Sequence, residues 1–520
     1  MKVPEEIKKI AKVLQSNGFS AYLVGGCMRD LLLGREPKDW DIATNAKPEE
    51  IQKIFSTFAG ATADKPATIY ENQFGTVGVK TGSDNPALKI VEITTFRLEG
   101  KYTDMRHPDE VKFAKTIEED LSRRDFTINA IAFNIGTSDV QKIDGNIRTS
   151  DVQNIIDPYG GQKDLENKII RTVGDSSQRF NEDALRLLRA VRFGAELGFS
   201  AQGGPASGWK IESGTAASIK KEAGLLEMIA KERIRDEFEK MIMSFGSGPS
   251  EGIRQLEELG LLKYIMPELV EGVGVGQNKH HIYTVFEHNV RALDYAAKQN
   301  YSFEVRMASL LHDVGKPRVK NGDGPDSTFY AHEIVGGKMA LAILDRLRFS
   351  KEAVLKISHL VRYHLFYYNV GEVTEAGVRR FLSRVGPENV DDLIKVREAD
   401  RIGSGVPKAV PYKLRHLLFM IEKVKRDPIS PKMLAVKGED VMRIAGIQPG
   451  PKVGWILGIL LEEVLDDPKK NIIENLEIII KNLAKLPDEE LKNLSKKARE
   501  KKDEFEGGIE EEIKKKYYVK

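Results

Sequence analysis

The sequence is poor in cysteine, in long apolar runs and in net charge. One cysteine in 520 residues, Cys27, excludes an internal disulfide framework and is typical of a protein from a reducing compartment, so we expect a cytoplasmic location. No run of about 18 apolar residues is present, and the charged first residues lack a signal core, so no membrane span is predicted. A net charge of +2 argues against a protein that coats nucleic acid non-specifically. A localised basic groove stays possible.

The order of patterns along the chain predicts an α+β protein of several parts. Runs rich in β-branched residues alternate with helical stretches to about residue 155, and helical periodicity prevails from about residue 160. Histidines gather between about residues 280 and 405, and charged helices follow. We therefore expect a mixed head over 1–155, a helical neck over 156–265, a histidine-rich helical unit over 266–405 and a helical tail over 406–520.

Two aspartates in the head predict a metal site. Asp39 and Asp41 flank Trp40 at the start of a predicted strand, where side chains two residues apart point to the same face. Carboxylates so close repel each other unless a cation lies between them, and Mg²⁺ binds carboxylates together with substrate phosphates. An isolated Asp-x-Asp is more often a solvated turn. Glu92, in another predicted strand, is a candidate third acid, and the three together indicate two-metal phosphoryl transfer.

A glycine pair precedes these acids at a predicted junction between a strand and a helix. Gly25 and Gly26 end the segment AYLVGG, and Arg29 follows on the first turn of the helix. Backbone N–H groups and the helix dipole at such a junction bind phosphate. The succession of strand, glycine pair, helix, Asp-x-Asp, strand and glutamate is more specific than any of its members.

The segment LVGGCMRDLLLGREPKDWDIAT resembles the signature of the class II tRNA nucleotidyltransferases, the CCA-adding enzymes and their bacterial poly(A) polymerase relatives. The resemblance implies a polymerase-β-like nucleotidyltransferase head with two Mg²⁺ ions at the Asp-x-Asp acids. It also implies nucleotide contacts at the glycine pair and the following arginine. On this resemblance the catalytic and nucleotide-contacting residues of the segment are Gly25, Gly26, Arg29, Asp39 and Asp41, and Glu92 from the later strand is the third acid.

A second block, RRDFTINA at 123–130, resembles the ribose-recognition motif of the same family. The resemblance implies that Arg124 and Asp125 read the sugar and that Asn129 belongs to the nucleotide site. A carboxylate accepts a hydrogen bond from a 2′-hydroxyl, so it favours NTP over dNTP.

A third block, EDALRLLRAVRF at 182–193, resembles the family's nucleobase motif. Asp183 and Arg186 are three residues apart in one predicted helix, so we expect them on one face. An aspartate accepts from the exocyclic amine of C or A and an arginine donates to the ring nitrogen, whereas U and G present the opposite polarity. Such a pair selects C and A without a template. Arg189 and Arg192 continue the row toward the triphosphate.

The remaining blocks bear on the product. The segment ENQFGTVGVK at 71–80 resembles the CCA-adding type rather than poly(A) polymerases, and a full-length loop between Glu92 and Arg123 argues against CC-only addition. We expect CCA addition to tRNA, held by its 3′ end and its acceptor and TΨC region, with CTP and ATP. Addition of A alone stays open, as does the oligomeric state. The segment PGPKVG, with Lys452, is either an RNA phosphate contact or a tight turn.

A separate set of histidines and aspartates predicts a second metal site. His312 and Asp313 are adjacent, and His288 and Asp400 complete a set of four that resembles the HD phosphohydrolase domain. Imidazole with carboxylate suits Mn, Fe, Ni, Co or Mg.

His332, with His364 or His359, lies where metal-rich HD variants place further ligands. The resemblance implies phosphatase or 2′,3′-cyclic phosphodiesterase activity, with an inactive RNA-binding helical body as the equal alternative. A third function hypothesis is an HD phosphohydrolase whose head only binds RNA, and the intact Asp39 and Asp41 count against it.

Overall fold

The computed structural model of the chain describes residues 3–56, 68–70, 75–100, 111–135, 142–143, 146–147, 154–198, 208–278, 282–366, 368–425, 434–498, 500 and 516–518. The chain folds into two compact units, Met1–Leu365 with Asp391–Pro407, and Phe366–Val390 with Lys408–Lys520. Among the helices within those described ranges, none has the length and apolar character needed to cross a bilayer.

A seven-stranded mixed sheet forms the core of the head, in the order β11-β8-β1-β2-β5-β4-β3. Its strands are β1 Tyr22–Val24, β2 Asp41–Thr44, β3 Thr68–Tyr70, β4 Thr76–Lys80, β5 Ile90–Thr95, β8 Ala132–Asn134 and β11 Ile155–Ile156. Strands β2 and β5 are parallel, and the other neighbouring pairs are antiparallel. The parallel pair matters for the site because its register places Asp41 opposite Glu92.

Three two-stranded ribbons accompany the sheet. They pair β6 Arg97–Glu99 with β7 Val111–Phe113, β9 Lys142–Ile143 with β10 Asn146–Ile147, and β12 Ile169–Ile170 with β13 Lys210–Ile211.

The helices of the head are α1 Glu5–Ser16, α2 Gly25–Leu32, α3 Pro48–Phe55 and α4 Ile117–Ser122. Helix α1 buries Ile7, Ile10 and Leu14, which recur at helical spacing. Helix α2 begins directly after β1, at the glycine pair itself, and Cys27 on its first turn is buried with Sγ 3.1 Å from the carbonyl oxygen of Val24.

The neck consists of α5 Gly161–Asn167, α6 Ser176–Glu182, α7 Leu185–Leu197, α8 Ser213–Glu222, α9 Lys231–Ile242, α10 Gly248–Glu258, α11 Leu262–Ile265 and α12 Pro267–Val270. Helix α7 packs against α9 and α10. The prediction of one helix that holds both Asp183 and Arg186 is wrong, because the chain is extended at Asp183, with φ −141°. Its side chain accepts a hydrogen bond from the N–H of Leu185, which starts a new helix there.

The histidine-rich region is helical, as expected. Its helices are α13 Val285–Lys298, α14 Phe303–Leu311, α15 Lys316–Val319, α16 His332–Arg346, α17 Lys351–Tyr363 and α19 Val390–Gly403. Helix α17 packs against α14 and α16, while α13 and α14 pack against the neck helices α10 and α9. The neck and most of this region therefore belong to one unit.

The second unit has its own helices and core. Its helices are α18 Glu375–Val385, α20 Tyr412–Lys425, α21 Gly438–Ala445, α22 Pro451–Asp466 and α23 Ile473–Leu483. Val441, Ile456, Leu460, Leu476 and Ile480 are buried together between α21, α22 and α23. The α+β class predicted from the sequence is confirmed.

Candidate active site and metal centre

Three carboxylates meet at one edge of the parallel strand pair. Asp41 opens β2 and lies in register with Glu92 of β5, and Asp39 stands two residues earlier, with Trp40 buried between the aspartates. Burial raises the pKa of Asp41 to about 7, helped by the negative charges of Asp39 and Glu92 and opposed by Arg124. A cation bound between the aspartates would relieve this repulsion, so the donor set fits a divalent metal.

Gly25 leaves space for the groups around these acids. Its φ is +71°, a left-handed conformation that glycine adopts without strain. A Cβ atom at this position would lie 3.0 Å from Nη1 of Arg124 and 3.3 Å from Oδ2 of Asp41. Any side chain here would therefore intrude between the acid and the arginine.

A cleft of about 1210 Å³ contains most of the predicted nucleotide site. It is bounded by α2 and the acids of the head, by α7 and by the loop after α9. The predicted residues that line it are Gly25, Gly26, Arg29, Asp39, Asp41, Arg124, Asp125, Asn129, Arg189 and Arg192. Three predicted residues, Glu92, Asp183 and Arg186, are described but are not among its lining residues.

The ribose block and the third block meet at Asp125. Its Oδ2 accepts from Arg189 at 2.6 Å, and its Oδ1 accepts from the amide of Asn129 at 3.2 Å. Asn129 in turn accepts from Arg29 at 3.0 Å. Burial works to raise the pKa of Asp125, but the charges of Arg189 and Arg186 with these hydrogen bonds lower it to about 2. The carboxylate is thus ionised and fixed as an acceptor.

Two acids that the sequence analysis missed hold the arginines of the cleft. Asp120, which is fully buried, accepts from Arg124 at 3.2 Å and from Arg123 at 2.8 Å. Glu237 on α9 is buried and pairs with Nε of Arg192. Acidic residues are common on helices, so nothing in the sequence distinguished these two.

Asp183 and Arg186 do not lie on one helix, which corrects the prediction that they share a helix face. Asp183 pairs with Arg233 at 3.0 Å. Arg186 donates to Glu182 at 2.6 Å and to the carbonyl of Arg123 at 3.3 Å. The physical reason is the helix break at Asp183, where the chain is extended and the side chain accepts a hydrogen bond from the N–H of Leu185.

The HD-like set is assembled as the sequence predicted. Nε2 of His288 lies 2.8 Å from Nε2 of His312, 3.1 Å from Oδ2 of Asp313 and 3.3 Å from Oδ1 of Asp400. All four residues are buried. Nitrogen and carboxylate donors at this spacing can converge on one divalent cation.

A second donor group shares Asp313. The other carboxylate oxygen, Oδ1, lies 3.3 Å from Nε2 of His332 and 3.6 Å from Nε2 of His364. Of the two alternatives weighed for this position, His364 belongs to the cluster, whereas His359 packs against the ring of Tyr363. Asp313 therefore contributes one carboxylate oxygen to each of two donor groups.

Backbone carbonyls orient three of these imidazoles. Nδ1 of His312, His332 and His364 lies 2.7–2.8 Å from the carbonyl oxygen three residues earlier in each case. When Nδ1 carries the proton, the lone pair of Nε2 can bind a metal. This is the arrangement of metal-ligating histidines. The fit of this set to a metal therefore extends beyond the ligand atoms.

Cations compensate the acids of this cluster. Lys316 lies 2.6 Å from Oδ2 of Asp313, and Arg397 lies 2.6 Å from Oδ2 of Asp400. Against the effect of burial, Asp313 and Asp400 raise the pKa of His312 to about 10. The cluster opens to a pocket of about 480 Å³ that Arg397 and Arg401 also line.

Three family models match the chain. They are "Poly A polymerase head domain" over 21–171, "Probable RNA and SrmB- binding site of polymerase A" over 208–272 and "HD domain" over 285–403. A CCA-adding enzyme of Ligilactobacillus salivarius is 32% identical over 94% of this chain and 99% of its own. The chain belongs to the CCA-adding family of tRNA nucleotidyltransferases.

Two further proteins are similar to this chain over most of its length. An A-adding tRNA nucleotidyltransferase of Deinococcus radiodurans is 32% identical over 85% of this chain and 91% of its own. The structure of the Bacillus stearothermophilus CCA-adding enzyme in complex with CTP matches with 29% identity and a TM-score of 0.56, over 92% of this chain and 97% of the other. The family, the polymerase-β-like head and the HD domain predicted from the sequence are confirmed. The nucleotidyltransferase and HD families generally use divalent metals.

Proposed function

We propose that this enzyme adds C, C and A to the 3′ end of tRNA without a nucleic-acid template, from CTP and ATP. The observation that carries the proposal is the cleft in which Asp39 and Asp41 face the fixed network of Asp125, Arg189 and Asn129. An RNA-binding head without catalysis would have no use for Asp39 and Asp41 together at the cleft, with Glu92 in register beside Asp41.

The residues of the head fit Mg²⁺, which Asp39 and Asp41 would hold, with Glu92 as the third acid. When bound, the metal activates the 3′-hydroxyl of the RNA and offsets the charge on the α-phosphate. Gly25 and Gly26 offer N–H groups at the start of α2 to the triphosphate.

The arginines and the ionised aspartate orient the nucleotide. Arg29, Arg124 and Arg192 line the cleft and would pair with phosphate oxygens. Asp125 would accept the 2′-hydroxyl of the ribose. For Asp183 and Arg186 to read the base, each would exchange its present partner, Arg233 or Glu182, for the nucleotide.

CCA addition is the favoured product, because at the same 32% identity the CCA-adding relative covers 94% of this chain and the A-adding relative 85%. The features that favoured CCA addition fall partly on residues 71–74 and 101–110, outside the described residues. Labelled CTP or ATP should be supplied to tRNAs that lack CCA, lack CA or lack only the final A. Incorporation into all three supports the proposal. Extension of the third substrate alone would show an A-adding enzyme, addition of C alone a CC-adding enzyme, and long A tails a poly(A) polymerase.

A second activity is favoured by the two donor groups that share Asp313. We propose that the HD cluster binds Mn, Ni, Co, Fe or Mg and hydrolyses phosphate monoesters or 2′,3′-cyclic phosphates. Lys316, Arg397 and Arg401 supply positive charge for the phosphate at the pocket. The metal, when bound, would supply a water of lowered pKa as the nucleophile.

The division of the chain into four parts, with boundaries at 155, 265 and 405, stays a prediction, as does the cytoplasmic location. The tRNA would be held through its acceptor and TΨC region. An RNA contact at Lys452 stays a prediction, and this side chain pairs with Asp488 at 2.9 Å within the second unit.

A further inference from the structure

One wall of the transfer cleft carries an exposed aromatic side chain. Phe245, in the loop after α9, lines the cleft and is 68% exposed. The other aromatic residue of the lining, Phe193, is 4% exposed and lies beneath Arg192, whose guanidinium carbon is 4.1 Å from the ring centroid. Phe245 is thus the aromatic face that this cleft leaves open.

The loop that carries Phe245 is fixed by the HD region. Arg306 of α14 is fully buried and donates to the carbonyl oxygens of Ile242 at 2.8 Å and Ser244 at 2.9 Å. These carbonyls follow the end of α9, where backbone acceptors lack helical partners. On the other side, a Cβ atom at Gly248 would lie 2.4 Å from the carbonyl oxygen of Ala195, so the loop sits directly on α7.

Two lysines line the same cleft as Phe245. Lys240 is on α9, and Lys298 ends α13 of the HD region, where it pairs with Asp294 at 2.7 Å while its side chain stays 52% exposed. A rigid, exposed ring beside cationic side chains is the arrangement that binds single-stranded RNA, by base stacking and phosphate pairing.

Two bases enter the cleft, that of the incoming nucleotide and the last base of the primer. The chemistry of the Phe245 ring indicates which of them it contacts. The incoming nucleotide must be chosen by its hydrogen bonds, whereas the last base of the primer changes during the three additions. A phenyl ring accepts any base because every base has a π face, and it offers no polar group for selection. The ring therefore suits the primer.

Resting on the proposed function, we propose that Phe245 is the stacking platform for the 3′-terminal base of the RNA primer and that Lys298 binds an adjoining phosphate. The HD region would then take part in nucleotidyl transfer by building one wall of the transfer cleft. This role is independent of any hydrolytic activity of the histidine cluster.

The test compares Phe245→Ala, Phe245→Leu and Phe245→Tyr with the wild type and with Met243→Ala. Met243 is an exposed apolar residue two positions away that is not among the cleft-lining residues, so it controls for a change in this loop. We expect the alanine and leucine variants to raise KM for tRNA lacking CCA by about tenfold. KM for CTP should stay within about twofold, and the tyrosine variant and the control should match the wild type.

Wild-type kinetics of the leucine variant would overturn the proposal, and so would a rise in KM for CTP instead of tRNA, because the ring would then stack on the incoming base. Lys298→Ala should flatten the salt dependence of tRNA affinity, and an unchanged slope would overturn the phosphate contact. If the wild type extends no tRNA, the proposed function fails separately. The platform is then judged by the Kd for a labelled single-stranded RNA, which must weaken in the leucine variant.

Discussion

The head and the HD region hold the same kind of acid in opposite electrostatic surroundings. In the head, Asp41 lies next to Asp39 and Glu92, and its pKa is raised to about 7. In the HD region, Asp313 is contacted by Lys316 and by histidines, and its pKa is held well below the ordinary value by their charge and hydrogen bonds. In the head, negative neighbours add to the effect of burial on Asp41. In the HD region, Asp313 has positively charged groups of the protein beside it.

The difference indicates how each site relates to a metal. The acids of the head gain most from a cation that arrives with the substrate, because the charge of Arg124 does not offset the effect of burial and of Asp39 and Glu92 on Asp41. In the HD cluster the acids are paired with cations of the protein, and a metal there would have to displace the proton that His312 holds. We therefore expect metal binding in the head to weaken as the pH falls below about 7, where Asp41 binds a proton, and metal binding at the HD site to weaken below about 10, where His312 keeps its proton.

The most severe test of this comparison is Asp41→Ala. If Asp41 holds the metal as proposed, its loss should reduce nucleotide addition by more than about a thousandfold, because metal stabilisation of the transition state is worth several kcal/mol. Binding of tRNA should stay near normal, since an acid does not attract phosphate, and HD hydrolysis should be unchanged. Single-turnover extension and filter binding measure the two quantities. Retained incorporation by this variant would contradict the proposed mechanism.

Asp313→Asn addresses the other side of the comparison. It weakens both donor groups at once, so hydrolysis of a phosphate monoester should fall by about a hundredfold. Nucleotide addition should stay within about twofold. His359→Gln is the matched control, since His359 lies on α17 beside the cluster but outside it. An equal loss of addition and hydrolysis would show that the two sites are not separate.

The smallest expected effect concerns the ion pairs behind the cleft. Glu237→Gln should lower the free energy of unfolding by about 1–3 kcal/mol, because Arg192 is buried with it and keeps Glu196 as a partner. Glu271→Gln, which breaks the exposed pair with Arg318, should cost less than about 1 kcal/mol. Denaturant titration measures both. Equal losses would show that burial of the Glu237 pair does not strengthen it.

The sequence predicted most of the head site because its residues are local in the chain. The glycine pair, Arg29 and the Asp-x-Asp acids lie within 17 positions, and strand and helix periodicity places them at one junction. The adjacency of Asp41 and Glu92 depends on a parallel register between β2 and β5, which no local pattern encodes. The sequence could name Glu92, but only the sheet places it beside Asp41.

The failures have a different physical cause. Asp183 was placed on a helix because apolar spacing continues through it, yet its side chain caps the backbone and interrupts the helix. Periodicity assigns the charged residues Arg306 and Asp120 to the surface, but both are fully buried. Each forms a hydrogen bond with a backbone group that is far away in the sequence. Long-range partners of buried charges are the part of this fold that sequence reasoning could not reach.

The lone cysteine has a practical consequence. Cys27 is fully buried behind the acids, and burial, with the charge of Asp41, raises its pKa to about 12. The thiolate is the form that reacts with alkylating reagents, so we expect the native thiol not to react with them while the head is folded. A cysteine introduced at an exposed position, such as Met243, would then carry a single spectroscopic label, and the motions of this enzyme could be followed without first removing any residue of its own.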